Sequence, residues 1–118
     1  MKILVAEDEA LIRLDLVEML REAGYEVIAE AGNGQEAIDL VKTEPPDIML
    51  LDVIMPGIDG FQVLEKVRAF SQMPVIVFSA RSENSQNALS LGANAFLPKP
   101  FDIEEMVKRI ESLLEHRA

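Results

Sequence analysis

The chain has 118 residues, no cysteine, 49% hydrophobic residues and a formal net charge of −10. That length suits one domain, spanning 1–118, with a packed core, and the lack of cysteine excludes disulfides and thiolate metal sites. The excess of 21 acidic over 11 basic residues favours solubility and argues against direct nucleic-acid binding, which needs clustered Lys and Arg.

The opening MKILVAEDEA places four apolar residues ahead of its acids, too few for a signal-peptide core. No apolar run approaches the ~20 residues that span a bilayer, so a cytoplasmic protein with no membrane partner is expected. Residues 3–6 read as a strand buried on both faces. A helix is predicted over 9–23, with Ile12, Leu16, Met19, Leu20 and Ala23 in one stripe and Gly24 as its stop. Residues 25–30 form a mixed run, typical of an edge strand. A second helix is expected over 34–43, capped by Asn33.

The apolar run 48–51 is a second fully buried strand, and 60–70 a third helix burying Phe61, Leu64 and Val67. Residues 75–78 repeat the buried-strand pattern. The polar stretch 82–87 is only weakly helical, but Ala88, Leu89 and Leu91 give a partial apolar face, so a short helix is placed at 83–91. Residues 95–98 contain Pro98, which suits an edge strand. A last helix over 103–116 carries Ile103, Met106, Val107, Ile110, Leu113 and Leu114 on one face, with Asp102 and Glu105 spaced as a capping box. The scattered methionines read as core filling.

Regular alternation of strand and helix implies an α/β fold, a doubly wound five-stranded parallel sheet with five helices. Edge-like second and fifth strands favour the flavodoxin-like order 2-1-3-4-5. The carboxyl ends of strands 1 and 3 then meet at the switch point where such sheets bind ligands. Glu7, Asp8 and Glu9 follow strand 1, Asp52 ends strand 3, Ser79 ends strand 4 and Lys99 follows strand 5. Carboxylates gathered this way repel one another and raise each other's pKa unless a cation or a proton intervenes. Oxygen donors with no His or Cys beside them suit a hard ion, Mg²⁺ before Zn²⁺. A carboxylate beside Mg²⁺ can also act as a nucleophile toward phosphorus, with Lys99 and Ser79 placed to stabilise the transferring group.

Taken in order, Glu7-Asp8, Leu51-Asp52, Met55-Pro56-Gly57-Ile58-Asp59-Gly60, Ser79-Ala80, Gly92-Ala93 and Lys99-Pro100-Phe101 resemble the receiver domains of two-component response regulators, across the whole chain. The resemblance implies a regulatory phosphoacceptor rather than a turnover enzyme. Asp52 would accept the phosphoryl group. Mg²⁺ would be held directly by Asp8, mainly through water by Glu7, and by Asp52 and the backbone carbonyl of Ile54. Ser79 and Lys99 would hold the phosphoryl oxygens, Phe96 would be the switch aromatic, and Lys99-Pro100 the family's cis peptide. A sensor histidine kinase or phosphotransfer protein would supply the group. A change in the surface near 83–116 would control a downstream protein or an output domain beyond the receiver. The stretch 6–24 also resembles receivers attached to RNA-binding antiterminator domains.

Singly, these residues have commoner roles: Glu7-Asp8 as helix-start charges, Ser79 as a hydroxyl bonded to backbone, Lys99 as a solvated lysine, Phe96 as core. Only the set carries chemistry. Gly32-Asn33-Gly34-Gln35-Glu36-Ala37 fits G-x-G-x-x-A, yet it follows the second strand, and Glu30 would repel a pyrophosphate. A turn and helix cap explain it better. His116, the sole histidine, suits a helix C-terminus and leaves the chain without a phosphohistidine donor role. The competing functions are an Mg²⁺-dependent aspartyl phosphatase and a nucleotide-binding module. The first often carries D-x-D, and here Ile54 stands at the second position without acid–base chemistry.

Overall fold

The structure, a computed structural model, describes residues 2–115. Its strands are β1 (Lys2–Ala6), β2 (Glu26–Ala31), β3 (Ile48–Asp52), β4 (Val75–Ser79) and β5 (Ala95–Pro98). The helices between and after them are α1 (Ala10–Glu22), α2 (Gly34–Thr43), α3 (Gly60–Arg68), α4 (Asn84–Ser90) and α5 (Ile103–Glu115). All five strands join one parallel sheet in the order β2-β1-β3-β4-β5.

The side-chain alternation of the strands divides the core in two. Leu4, Ala6, Met49, Leu51, Val75 and Val77 face α2, α3 and α4, and meet Ile38, Val41, Leu64, Val67 and Ala88 there. Ile3, Val5, Ile48, Leu50, Ile76 and Phe78 face α1 and α5, and meet Leu16, Val17, Leu20, Met106 and Ile110. The central strands are thus covered on both sides, which is why they read as unbroken apolar runs.

Several helices settle on faces that differ from the expected ones. In α1 the buried residues are Leu16, Val17 and Leu20, while Ile12 is 40% exposed and Ala23 is also exposed. The helix is rotated so that Val17 takes the place assigned to Ile12 and Ala23. α3 ends at Arg68 rather than at 70, and Val63 is buried where Phe61 is only partly so. α4 is two residues shorter than expected, and Ala88 is its single buried residue. Gly24 ends α1 as expected, with φ +96° in the left-handed region that suits glycine. Asn33 caps α2 by accepting the Glu36 amide at 2.9 Å, which accounts for the glycine motif as turn and cap. At the start of α5 the Asp102 backbone carbonyl takes the amides of Glu105 and Met106. His116 lies outside the described residues. Among the described residues no helix is long and apolar enough to cross a membrane.

Candidate functional site

Strand register assembles the site. β1 pairs with β3 through Ala6↔Leu51, so Glu7 and Asp52, the next residues along, emerge side by side. β3 pairs with β4 through Asp52↔Phe78, and β4 with β5 through Ser79↔Pro98. The Lys99 amide then donates to the Ser79 carbonyl at 2.8 Å. Four residues far apart in sequence are thereby fixed at one end of the sheet by backbone pairing alone.

Glu7, Asp8 and Asp52 each offer a carboxylate oxygen within 4.8 Å of the others. Glu7 is wholly buried and Asp52 is 4% exposed. Lys99 Nζ stands between them, 3.6 Å from Glu7 Oε1 and 3.6 Å from Asp52 Oδ1. Its ammonium also lies 5.1 Å from the centre of the Phe78 ring, an attraction that fixes its direction. One lysine does not satisfy the cluster. Among the described residues neither oxygen of Glu7, taken as ionised, has a hydrogen-bond partner; a proton on Glu7 shared with Asp52, or a cation, would satisfy them. Burial pushes the Glu7 carboxyl up from 4.5 to about 8; the Asp52 carboxylate adds to the rise and Lys99 opposes it. The donor set is all oxygen, so the cluster fits a hard divalent cation.

The supporting contacts are local. Arg13 Nη1 donates to the Glu7 carbonyl at 2.7 Å, and its Nε pairs with Glu30 at 3.3 Å. The loop after Asp52 folds back through Gly60, whose amide donates to the Val53 carbonyl at 2.8 Å. A Cβ on Gly60 would collide with the Asp52 carbonyl oxygen, so the turn that seats Asp52 requires glycine. Ile54 lies in this loop with its side chain 55% exposed.

Ser79 is fully buried, and its hydroxyl accepts from the Arg81 amide at 3.1 Å and from Asn84 Nδ2 at 3.0 Å. Phe96 is partly buried and packs against the core cluster that includes Ala88 of α4. The Lys99-Pro100 bond is cis, as the resemblance implied. Every residue singled out for the site except Phe96 therefore lies at this end of the sheet or in the loops that leave it. The sequence reading missed Arg13 and Asn84. A trace of the first was visible, since Arg13 is the only base between Lys2 and Arg21.

An α/β sheet of this order with acids at its β1/β3 ends and a lysine after β5 defines the receiver class of signalling domains. The chain belongs to the response regulator receiver domain family, which it matches over residues 3–111. It is 45% identical over 112 residues to the transcriptional regulatory protein PdtaR of Mycobacterium tuberculosis, covering 93% of this chain and 55% of that protein. It is 38% identical over 117 residues to the response regulator MprA of Mycobacterium avium, covering 97% of this chain and 51% of that protein. The chain thus spans about half the length of the curated relatives it matches. Among solved structures, the receiver domain of the Francisella response regulator 1452 superposes with a TM-score of 0.89 at 33% identity, covering 97% of this chain and 96% of that one. The CheX-CheY-BeF3-Mg²⁺ complex from Borrelia burgdorferi contains a chain with a TM-score of 0.90 at 28% identity, covering 96% of this chain and 88% of that one.

Proposed function

We propose that this domain is an Mg²⁺-dependent switch that accepts a phosphoryl group on Asp52. The observation that carries the proposal is the geometry of Lys99. Its ammonium lies 3.6 Å from both Asp52 and a buried Glu7, whose ionised oxygens have no hydrogen-bond partner among the described residues. Asp8, Asp52 and the Ile54 backbone carbonyl would hold Mg²⁺ directly, and Glu7 mainly through water. When bound, the ion supplies positive charge that neutralises the carboxylates and the incoming phosphoryl oxygens.

The protein's own residues do the rest. A carboxylate oxygen of Asp52 attacks phosphorus, and the bond from phosphorus to the donor's leaving atom breaks. With a phosphohistidine donor the imidazole nitrogen leaves with the electron pair and takes up a proton. Lys99 sits within reach of the oxygens that gain charge. Ser79 turns its hydroxyl toward one of them, and Phe96 changes rotamer as α4 yields, so that the surface near 83–116 reports the modified state.

The phosphoryl donor in this reading is a sensor histidine kinase or a phosphotransfer protein in the cytoplasm. The output is a downstream protein or an attached output domain, an RNA-binding antiterminator-type domain being one form. Relatives in which the matched region fills about half of the protein support an output region of that size. The Borrelia CheX-CheY complex with BeF3 and Mg²⁺ supports the same chemistry here.

Incubation with a small phosphodonor in Mg²⁺ tests the reading by intact mass. One added phosphoryl group is expected on the native protein, and none on Asp52→Asn. Equal labelling of that variant overturns the assignment.

A further inference from the structure

Helix α4 is held differently at its two ends. At its C-terminal side Arg68 of α3 donates to the Gly92 carbonyl from Nε at 3.0 Å and from Nη2 at 2.9 Å. The same guanidinium reaches Asn94 Oδ1 at 3.0 Å and the Ser71 carbonyl at 3.1 Å. A planar, always charged side chain with fixed donors makes a stiff anchor. Asn94 Oδ1 in turn accepts the Val75 amide at 2.9 Å, which fastens the turn after α4 to the start of β4.

The other end has no such anchor. Glu83 precedes the helix with no side-chain cap bond. The first helical residue, Asn84, sends its side chain to Ser79 Oγ. A serine hydroxyl has two lone pairs and one hydrogen. Among the described residues both bonds made by the Ser79 hydroxyl use it as an acceptor, one from Asn84 and one from the Arg81 amide. Its lone pairs are filled from the α4 side, and it is aimed at that side. Its hydrogen remains free to donate, but swinging Oγ toward Asp52 would carry it away from the Asn84 amide.

We propose that Asn84 is a positioning residue that latches the Ser79 hydroxyl to the first turn of α4, so that engagement of Ser79 by a phosphoryl group frees that turn while Arg68 keeps the far end in place. This rests on the phosphoryl-contacting role of Ser79 argued above. The latch sets the resting population, because a site whose competent state is rarely filled binds its ligand more weakly by that fraction.

Beryllofluoride in Mg²⁺ serves as the phosphoryl mimic. Its affinity is measured for wild type, Asn84→Ala, Ser79→Ala and the double variant, with hydrogen exchange in chelator beside it. Asn84→Ala should tighten mimic binding about fivefold, the equilibrium equivalent of one ordinary hydrogen bond. In the Ser79→Ala background the same change should have no effect, since the partner is already gone. Without mimic, each single variant should speed exchange across 82–87 and leave 92–95 protected, and the double variant should go no further.

Weaker or unchanged mimic binding by Asn84→Ala overturns the latch. So does a tightening that persists without Ser79, because Asn84 would then act through some other group. Wild-type protein that binds no beryllofluoride overturns the reading of the site instead. The latch is still decided in that case by the exchange arm, where additive single effects would refute it.

Discussion

Helices α3 and α4 lie on the same face of the sheet, and each follows a strand that ends in a residue of the site. They are secured to very different degrees. α3 opens with a capping box, in which the Asp59 side chain accepts the Gln62 amide at 2.9 Å and the Gln62 side chain accepts the Asp59 amide at 3.1 Å. It buries Gly60, Val63, Leu64 and Val67. α4 has no side-chain cap and buries Ala88 alone. The acid that precedes α3 must stay fixed if it is to hold a cation and present an oxygen to phosphorus. The hydroxyl that precedes α4 must move if the event is to be felt elsewhere. Few buried contacts and a loose start lower the cost of local opening, so α4 is expected to open more readily than α3.

The largest expected effect tests that contrast directly. Leu64 is fully buried, and Leu64→Ala should cost about 2–5 kcal/mol. Ala88→Gly, at the one buried position of α4, should cost about 1 kcal/mol. Chemical denaturation of both variants measures the pair. Equal losses would mean that α4 is as deeply fastened as α3.

The contrast was only half legible in the sequence. Strands covered on both faces leave apolar runs, and 48–51 and 75–78 could hardly be read otherwise. The two edge strands carried charge or proline, which set the strand order and so brought the acids together. The faces of α1 were harder. Leu11, Ile12, Leu14, Leu16, Val17, Met19 and Leu20 surround much of that helix, so more than one stripe fits the 3.6 period. Packing against the sheet chose Leu16, Val17 and Leu20, and left Leu11 82% exposed and Leu14 50% exposed. The weak helical pattern at 82–87 did show that α4 would be marginal. Its bond to Ser79 left no trace, because a side-chain amide reaching a hydroxyl five residues back has no periodicity. Arg13 and Arg68 were hidden for a similar reason, since both donate to backbone carbonyls that every sequence has.

A second prediction sharpens the rigid half of the comparison. Folding gathers Glu7, Asp8 and Asp52, which are apart in the unfolded chain. The Glu7 carboxyl holds its proton up to about pH 8 in the folded protein, against 4.5 as its ordinary value. Between those two values the folded state binds more protons than the unfolded one. In chelator, stability should therefore fall as pH rises from about 4.5 to about 8. Mg²⁺ at ten times its dissociation constant should restore about RT ln 11, or 1.4 kcal/mol, a melting shift of about 5 °C for a domain of this size. At one fixed Mg²⁺ concentration the gain should be larger at pH 8 than at pH 5, where protons compete for Glu7 and raise the dissociation constant. Asp52→Asn removes one repelling charge and one ligand, so it should melt higher in chelator and respond less to Mg²⁺. A variant that melts lower in chelator yet keeps the whole Mg²⁺ gain would show that the three acids do not share a site.

The smallest expected effects lie at the helix starts, and there the comparison can fail in either direction. Asp59 has φ −79° and ψ 174°, the extended backbone from which a side chain reaches the amides of the first turn. Asp59→Ala should cost about 1 kcal/mol by removing the side-chain acceptor of the Gln62 amide, although the backbone amide at 59 keeps its Gln62 partner. Glu83 has φ −64° and ψ −15°, already helical, so a side chain there points away from those amides. Glu83→Ser introduces the best kind of capping residue into a backbone that cannot use it. Its effect should stay within about 0.5 kcal/mol, the range of ordinary surface changes. Thermal melts of the two variants beside wild type decide the matter. A gain near 1 kcal/mol from Glu83→Ser would require the start of α4 to shift into an extended cap. That would mean its loose start reflects a poor choice of residue and not the backbone path that β4 imposes on it. If the gain is absent and the loss at Asp59 is present, the difference between the two helices lies in the backbone itself, and no single side chain at position 83 can make α4 as firm as α3.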